Sequence, residues 1–309
     1  MSRIHEALKK AAEERSAQTA NRAASDLLDL SIHEELAAKP PVNGDAHAKL
    51  RTGEKSDAGL LRFEEFAKRC THANWKINSA ASVYSAHSNN SVGAEKFRTL
   101  RSRLYQIASA QPLKRILITS STPAEGKTFV AANLAQSFTR QENRRVLLID
   151  ADLRASRLHL HLGASEKPGL SDYLHGDVDE YQVTQMEKDG NLCLIPGGRE
   201  VSNPSELLHS DRMKQLLDRM SLIFDWIILD SPPALPVHDP SILADMCDGV
   251  LFVVRAGSTD FELATKASME FREKNLLGVV LNRVEKGDAY GSYYYGYNSQ
   301  HGSEPQAKS

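Results

Sequence analysis

Five short apolar runs constrain this chain more than any other feature. They are "RILITSS", "RVLLIDAD", "DWIILDSPP", "GVLFVVRAG" and "LLGVVLNRV", spread between residues 115 and 284. Each is rich in branched aliphatic residues and lacks the apolar/polar alternation of a strand with one wet face. Such runs mark strands buried on both faces. Segments of helical period lie between them, among them "KTFVAANLAQSFTRQ" and "SELLHSDRMKQLLDRM", the second with Asn203 or Ser205 as its cap. Strands alternating with helices predict an α/β fold, a doubly wound and mostly parallel sheet. No internal repeat is visible.

The first ninety residues read differently. "MSRIHEALKKAAEER" carries Ile4, Ala7, Leu8 and Ala11 at helical spacing. It reads either as a solvated leader helix or as a docking helix for a partner or a membrane surface. Residues 37 to 60 are poor in large apolar side chains and read as a linker. "AASVYSAHSNNS" is polar without a period, which sets the start of the main domain near Ser91. The expected organisation is a leader and flexible region over 1–90, a main domain over 91–286 and a tail over 287–309.

Bulk composition mainly excludes. Basic residues number 38 and acidic residues 40, so no global polyanion binder is indicated and no nucleic-acid partner is expected. Cys70, Cys193 and Cys247 have neither metal-ligand nor redox spacing, which favours a reducing cytosol over a disulfide framework. No apolar run approaches the ~18 residues of a membrane span. The N-terminus has no apolar core of a secretory signal. The expectation is a soluble, intracellular chain.

"STPAEGKT", residues 121–128, follows the first buried strand and opens a helix at Gly126-Lys127-Thr128. A helix N-terminus offers unpaired N–H groups and the positive end of its dipole, so a phosphate fits there. Lys127 has the reach for β and γ phosphates, and the Thr128 hydroxyl is a ligand for Mg²⁺. The loop is a variant. Ser121 stands where the usual pattern opens with glycine, Ala124 where a further glycine is common, and Pro123 removes a donor. Alanine at a position needing φ > 0 costs up to about 1 kcal/mol. Two further strands end in acids: "LLIDADLR" in Asp150 and Asp152, "IILDSPP" in Asp230. Ligands of open α/β sheets sit outside the carboxyl ends of the strands. Three carboxylates therefore gather around the loop's phosphates, and carboxylate with phosphate oxygen is a hard-ligand set for Mg²⁺.

Two other segments carry information. In "GAEKFRTLRSRL", Glu95, Arg98 and Arg101 recur every third residue and fall within an arc of about 120° on a helix. By itself this is a solvated face with a Glu–Arg pair worth at most about 0.5 kcal/mol. "YGSYYYGY" places Tyr290, Tyr293, Tyr294, Tyr295 and Tyr297 within eight residues of a chain that has nine tyrosines, so chance clustering is a poor explanation. The interleaved Gly and Ser read as flexible. A base-stacking platform would need accompanying basic residues. A string of phenolic hydroxyls near a nucleotide site reads best as a phosphoacceptor tail. His159 and His161 lack an evident third metal ligand and read as structural.

These motifs resemble the cytoplasmic kinase domain of the bacterial tyrosine kinases (BY-kinases), the polysaccharide-associated autokinases related to the MinD/ParA ATPases within the P-loop NTPases. "ITSSTPAEGKT" resembles the family's Walker A, "LLIDADLR" its Walker A′ and "IILDSPP" its Walker B. "GLSDYL", "IPGG" and "NPSELL" are similar as well, and the likeness covers residues 91 to 297. Ala124 departs from the family's more usual glycine. Thr122 stands where MinD/ParA proteins have a signature lysine, which separates this chain from that branch. The leader "MSRIHEALKK" is similar to that of kinases in exosortase-linked polysaccharide loci.

The resemblance implies ATP and Mg²⁺ as cofactors. It implies nucleotide contacts from Ser121, Ala124, Glu125, Gly126, Lys127, Thr128 and Phe129, with Asn282 touching adenine or forming a simple strand-end turn. Thr128, Asp152 and Asp230 are the implied Mg²⁺ residues. Lys127, Asp150 and Asp152 are the implied catalytic set, with Asp150 as base for an incoming tyrosine, and Arg154 is expected to order the site. Glu95, Arg98 and Arg101 match an E-x-x-R-x-x-R motif that packs protomers into a ring. The tail tyrosines match clusters that neighbouring protomers phosphorylate. Implied partners are a membrane chain-length-determinant protein acting as activator and a cognate tyrosine phosphatase. The expected place is the cytoplasm, at the inner membrane face through that activator, in exopolysaccharide or capsule assembly. The rival readings are a partitioning-type ATPase switch and a degenerate nucleotide-binding scaffold.

Overall fold

The computed structural model describes residues 62–84, 91–187 and 190–284. The segment expected to form a leader helix and the tyrosine cluster lie outside the described residues. Eight strands form one sheet: β1 (Thr71–Ala73), β2 (Arg115–Ser120), β3 (Val146–Asp150), β4 (Gln185–Glu187), β5 (Leu192–Ile195), β6 (Trp226–Asp230), β7 (Gly249–Arg255) and β8 (Leu276–Asn282). Their order is β1-β4-β5-β3-β6-β2-β7-β8. Neighbours run parallel except β4 and β5, which pair antiparallel. The expected doubly wound α/β architecture is therefore present, and all five apolar runs are strands.

Two of the central strands show why those runs lack alternation: every residue of β3 and β6 is buried. Alternate side chains feed two cores. Ile116, Ile118, Val146, Leu148 and Ile228 pack under α1 (Val92–Ala110) and α2 (Lys127–Thr139). Leu117, Leu147, Ile149, Ile227 and Leu229 face the opposite layer. That layer includes α4 (Leu170–His175), α5 (Glu180–Val183), α6 (Pro204–Leu208), α7 (Asp211–Ser221), α8 (Asp239–Ala244) and α9 (Phe261–Met269). A five-residue helix, α3 (Leu158–Leu162), follows β3.

The packed unit extends N-terminal of the boundary expected near Ser91. Phe63 and Phe66, on a helical turn over residues 62–67, pack edge-on against Phe224 at 5.7 Å between centroids. Burying each phenyl ring stabilises by roughly 1.5–3 kcal/mol. β1 adds an edge strand, and residues 81–84 fasten to α2. There the buried Asn133 accepts from the Val83 N–H at 2.8 Å and donates to the Ala81 carbonyl at 2.9 Å, while Ser82 donates to Gln136 at 2.8 Å. Without these partners, α2 would bury the amide oxygens of Asn133 and Gln136 unpaired, although both NH₂ groups also donate to carbonyls of the helix itself. The contacts are long-range, so the polar segment shows no period in sequence.

The stretch "SELLHSDRMKQLLDRM" is two helices instead of one. Pro204 opens α6 after Asn203, and the chain breaks at His209. Ser210 then caps α7 by accepting from the Met213 N–H at 3.4 Å. Three strands escaped sequence reasoning: β1, β4 and β5 have only three or four residues each. No described helix is long and apolar enough to cross a membrane.

Candidate nucleotide site

β2 delivers the chain into the loop 121–126, and two residues there adopt positive φ: Ala124 at 66° and Gly126 at 95°. Ala124 thus carries the strain expected of it, about 1 kcal/mol. Gly126 is the N-cap of α2, and a Cβ on it would stand 2.1 Å from Asn282 Nδ2. That amide donates to the Glu125 carbonyl at 2.8 Å. Asn282 therefore braces the loop from the end of β8. The first N–H groups of α2 have no acceptor within the helix, and α2 has no acidic residue in its first turn.

Several side chains singled out in the loop point inward. Ser121 is buried and its hydroxyl donates to Glu125 at 2.9 Å. The Phe129 ring packs against Phe97 at 6.1 Å between centroids, in the contact between α1 and α2. The side chains of Ser121 and Glu125 are thus committed inside the fold, and that of Phe129 is partly so.

The acids converge as expected. Asp150 and Asp230 are direct cross-strand partners at the ends of β3 and β6. Lys127 Nζ lies 3.0 Å from Asp152 Oδ2, and the Thr128 hydroxyl lies against Asp230. Burial pushes the Asp150 carboxyl up to about 6, against the pull of its bond from Ser156. Burial likewise pushes Asp230 up to about 8, with Lys127 opposing and the Asp150 charge adding to the rise. At Lys127, burial works against the ammonium, but Asp230 and Asp152 outweigh it and raise its pKa. Three carboxyl groups around one ammonium leave the cluster short of positive charge.

The cluster suits a divalent cation. Asp230 Oδ1 is buried without a hydrogen-bond partner, which is costly unless something satisfies it. Among the described residues no three His, Cys, Asp or Glu side chains are grouped to enclose a metal. A cation held here would need oxygens from a bound phosphate, which matches the way Mg²⁺ is usually held.

Asp150 Oδ2 accepts from Ser156 Oγ at 2.7 Å and from the N–H groups of Arg157 and Leu158 at 3.0 Å each. Its Oδ1 takes only the Asp152 N–H, at 3.2 Å. Arg154 forks onto the fully buried Asp239, Nε to Oδ2 at 2.7 Å and Nη2 to Oδ1 at 3.1 Å, and also reaches Ser205 Oγ at 3.0 Å. Ser156, Asp239 and Thr259 were not singled out in the sequence, and Ser205 was read only as a helix cap.

Away from the loop, Glu95 and Arg98 form an exposed ion pair at 2.7 Å on α1. Arg101 turns onto its own chain, donating to the Ser137 carbonyl at 2.5 Å near the end of α2. The Nδ1 atoms of His159 and His161 are buried without partners, and burial lowers the His161 pKa. All three cysteines are free.

A mostly parallel sheet, a Gly-Lys-Thr helix start beside it and acids at or just past the adjoining strand ends define a P-loop nucleotide-binding domain. Residues 116–304 match the CobQ/CobB/MinD/ParA nucleotide binding domain family. Among characterised proteins, the tyrosine-protein kinase YwqD of Bacillus subtilis is 36% identical over 210 residues, which cover 67% of this chain and 87% of YwqD. The putative tyrosine-protein kinase EpsB of Ralstonia nicotianae is 37% identical over 227 residues, 70% of this chain but 30% of EpsB. The solved kinase domain of the Escherichia coli tyrosine kinase ETK superposes with a TM-score of 0.58 at 33% identity, covering 64% of this chain and 79% of that one. The chain belongs to the bacterial tyrosine-protein kinases. It spans most of YwqD and less than a third of EpsB.

Proposed function

We propose that this chain is an ATP-dependent, Mg²⁺-requiring tyrosine autokinase that phosphorylates the tyrosine cluster of a neighbouring protomer. The observation that carries the reading is the meeting of Lys127 with Asp150, Asp152 and Asp230 at the start of α2. Phosphoryl transfer demands positioning and charge stabilisation above all. Lys127 and the N–H groups opening α2 hold the β and γ phosphates. Thr128, Asp152 and Asp230 hold Mg²⁺, which neutralises charge on the phosphate oxygens. The tyrosine oxygen bonds to the γ-phosphorus, the bridging bond to the β-phosphate breaks, and ADP leaves. The phenolic proton passes to Asp150, whose carboxyl, raised by burial to about 6, suits a base near neutral pH. Its Oδ1 accepts a single contact, from the Asp152 N–H at 3.2 Å, and so keeps capacity for another. Asn282, at the loop's flank, borders the nucleotide.

Residues 91–286 form the kinase domain in this reading, with residues 62–84 as its N-terminal brace. Residues 287–309 are the acceptor tail and residues 1–60 the leader. The exposed Glu95–Arg98 pair contacts the next protomer of a ring, while Arg101 fixes α1 to α2. A membrane chain-length-determinant protein activates the kinase and holds it at the inner membrane face, and a tyrosine phosphatase resets it. The process served is exopolysaccharide or capsule assembly, of the exosortase-linked kind that the leader resembles. Incubating the full chain with ATP and Mg²⁺ and mapping phosphotyrosine by mass spectrometry tests this. Modification concentrated at Tyr290, Tyr293, Tyr294, Tyr295 and Tyr297 supports the reading, and modification scattered elsewhere or absent rejects it.

A further inference from the structure

Glu125 is only 2% exposed, yet no ion pair to it occurs among the described residues. Its carboxylate instead gathers neutral donors. Ser121 Oγ approaches both oxygens, at 2.9 and 3.0 Å, and the Thr122 N–H donates at 2.8 Å. Thr259 Oγ1, from the segment after β7, also donates to it. The Thr259 oxygen in turn accepts from the Arg255 N–H at 3.1 Å, where β7 ends. A buried carboxylate is an expensive way to fill space. Here it spans the loop from its first residue to the residue before Gly126, and it stands in a loop where Ser121 and Ala124 replace the usual glycines.

We propose that Glu125 is a positioning residue for nucleotide binding: its carboxylate imposes the curvature of the phosphate loop and anchors that curvature to Thr259. Ser121 and Thr122 are pulled onto one side of the carboxylate, and Thr259 fixes it from the other. Lys127 and the start of α2 are thereby set before any phosphate arrives. The inference rests on the nucleotide site described above. It concerns how the loop is held, not which groups meet the phosphates.

The test uses the full chain and Mg²⁺-ADP as probe, with affinity measured by calorimetric titration and Tm measured without nucleotide. Thr259→Val keeps the shape and removes the donor, and it weakens ADP binding about five- to tenfold, the effect of one hydrogen bond. Thr259→Ser restores the hydroxyl and wild-type affinity. Glu125→Gln, which puts a donor against the Thr122 N–H or Thr259, weakens binding about tenfold or more. In the phosphotyrosine assay, Thr259→Val raises KM for ATP and leaves kcat within about twofold, because uniform binding is what is lost. Wild-type affinity in both Thr259→Val and Glu125→Gln would overturn the proposal, as would a Thr259→Ser variant as weak as Thr259→Val. A wild-type chain that binds no ADP removes the nucleotide reading itself, and this inference with it.

Discussion

Replacing Gly126 by alanine probes the loop most sharply, because two separable costs meet there. At φ 95°, alanine pays backbone strain of roughly 1–2 kcal/mol. The new Cβ would also stand 2.1 Å from Asn282 Nδ2, so that amide must move. Its 2.8 Å bond to the Glu125 carbonyl is then lost, at about 1 kcal/mol. Gly126→Ala is thus expected to destabilise by roughly 2–3 kcal/mol, a Tm drop of about 4–12 °C for a domain of this size. Asn282→Ala loses the same hydrogen bond and costs about 1 kcal/mol. In the double variant that bond can be lost only once, so the two effects fall short of additivity by about 1 kcal/mol. Urea titration of the four proteins measures this directly. Strict additivity, or a Gly126→Ala variant as stable as the parent, would refute the claim that Asn282 braces the loop at Gly126.

Other expectations follow from the same geometry. Glu95→Ala with Arg98→Ala reduces assembly size by light scattering and leaves Tm within about 2 °C, since the pair is exposed. An unchanged assembly would remove α1 as the contact surface. Asp150 and Asp230 have folded pKa values raised above those of the unfolded chain, so the native state holds protons that the unfolded state releases above pH ~4. With respect to these two groups, ligand-free protein is therefore most stable at and below about pH 4 and loses that stability as pH rises through about 6 and then about 8. Asp230→Asn flattens the upper part of that decline, and an unaltered Tm–pH profile in the variant would contradict the assignment. Changing all five tail tyrosines to Phe removes most phosphotyrosine and leaves ADP affinity within about twofold, because no loop residue is touched. A loss of ADP binding would show that the tail is part of the nucleotide site.

What the sequence revealed, and what it hid, divides by the range of the interactions. The five apolar runs were legible because burial on both faces is written into each run locally. The phosphate loop and the acids were legible for the same reason: Gly126-Lys127-Thr128, Asp150 and Asp230 each sit at a predictable end of their own element, and Asp152 lies just past the end of β3. The short strands β1, β4 and β5 were not, since three or four residues carry too little period to distinguish from loop. Residues 81–84 looked like linker because their partners, Asn133 and Gln136, lie about fifty positions away. The inward turn of Ser121 and Glu125 was hidden for a similar reason: the donor that completes the arrangement, Thr259, is 134 residues from Glu125. Arg101 shared its helical arc with Glu95 and Arg98, and spacing alone does not tell that its guanidinium ends on Ser137.

The central claim is that phosphoryl transfer to tyrosine runs through Lys127. Its most direct test compares the parent chain with Lys127→Met, at equal concentration, incubated with Mg²⁺ and radiolabelled ATP, with phosphotyrosine quantified and folding checked by circular dichroism. The parent is predicted to label on its tail tyrosines. The variant is predicted to fold normally and label about 10²–10³-fold more slowly, the loss typical of one group stabilising transition-state charge. Equal labelling of a folded variant, or no phosphotyrosine in the parent, would contradict the account.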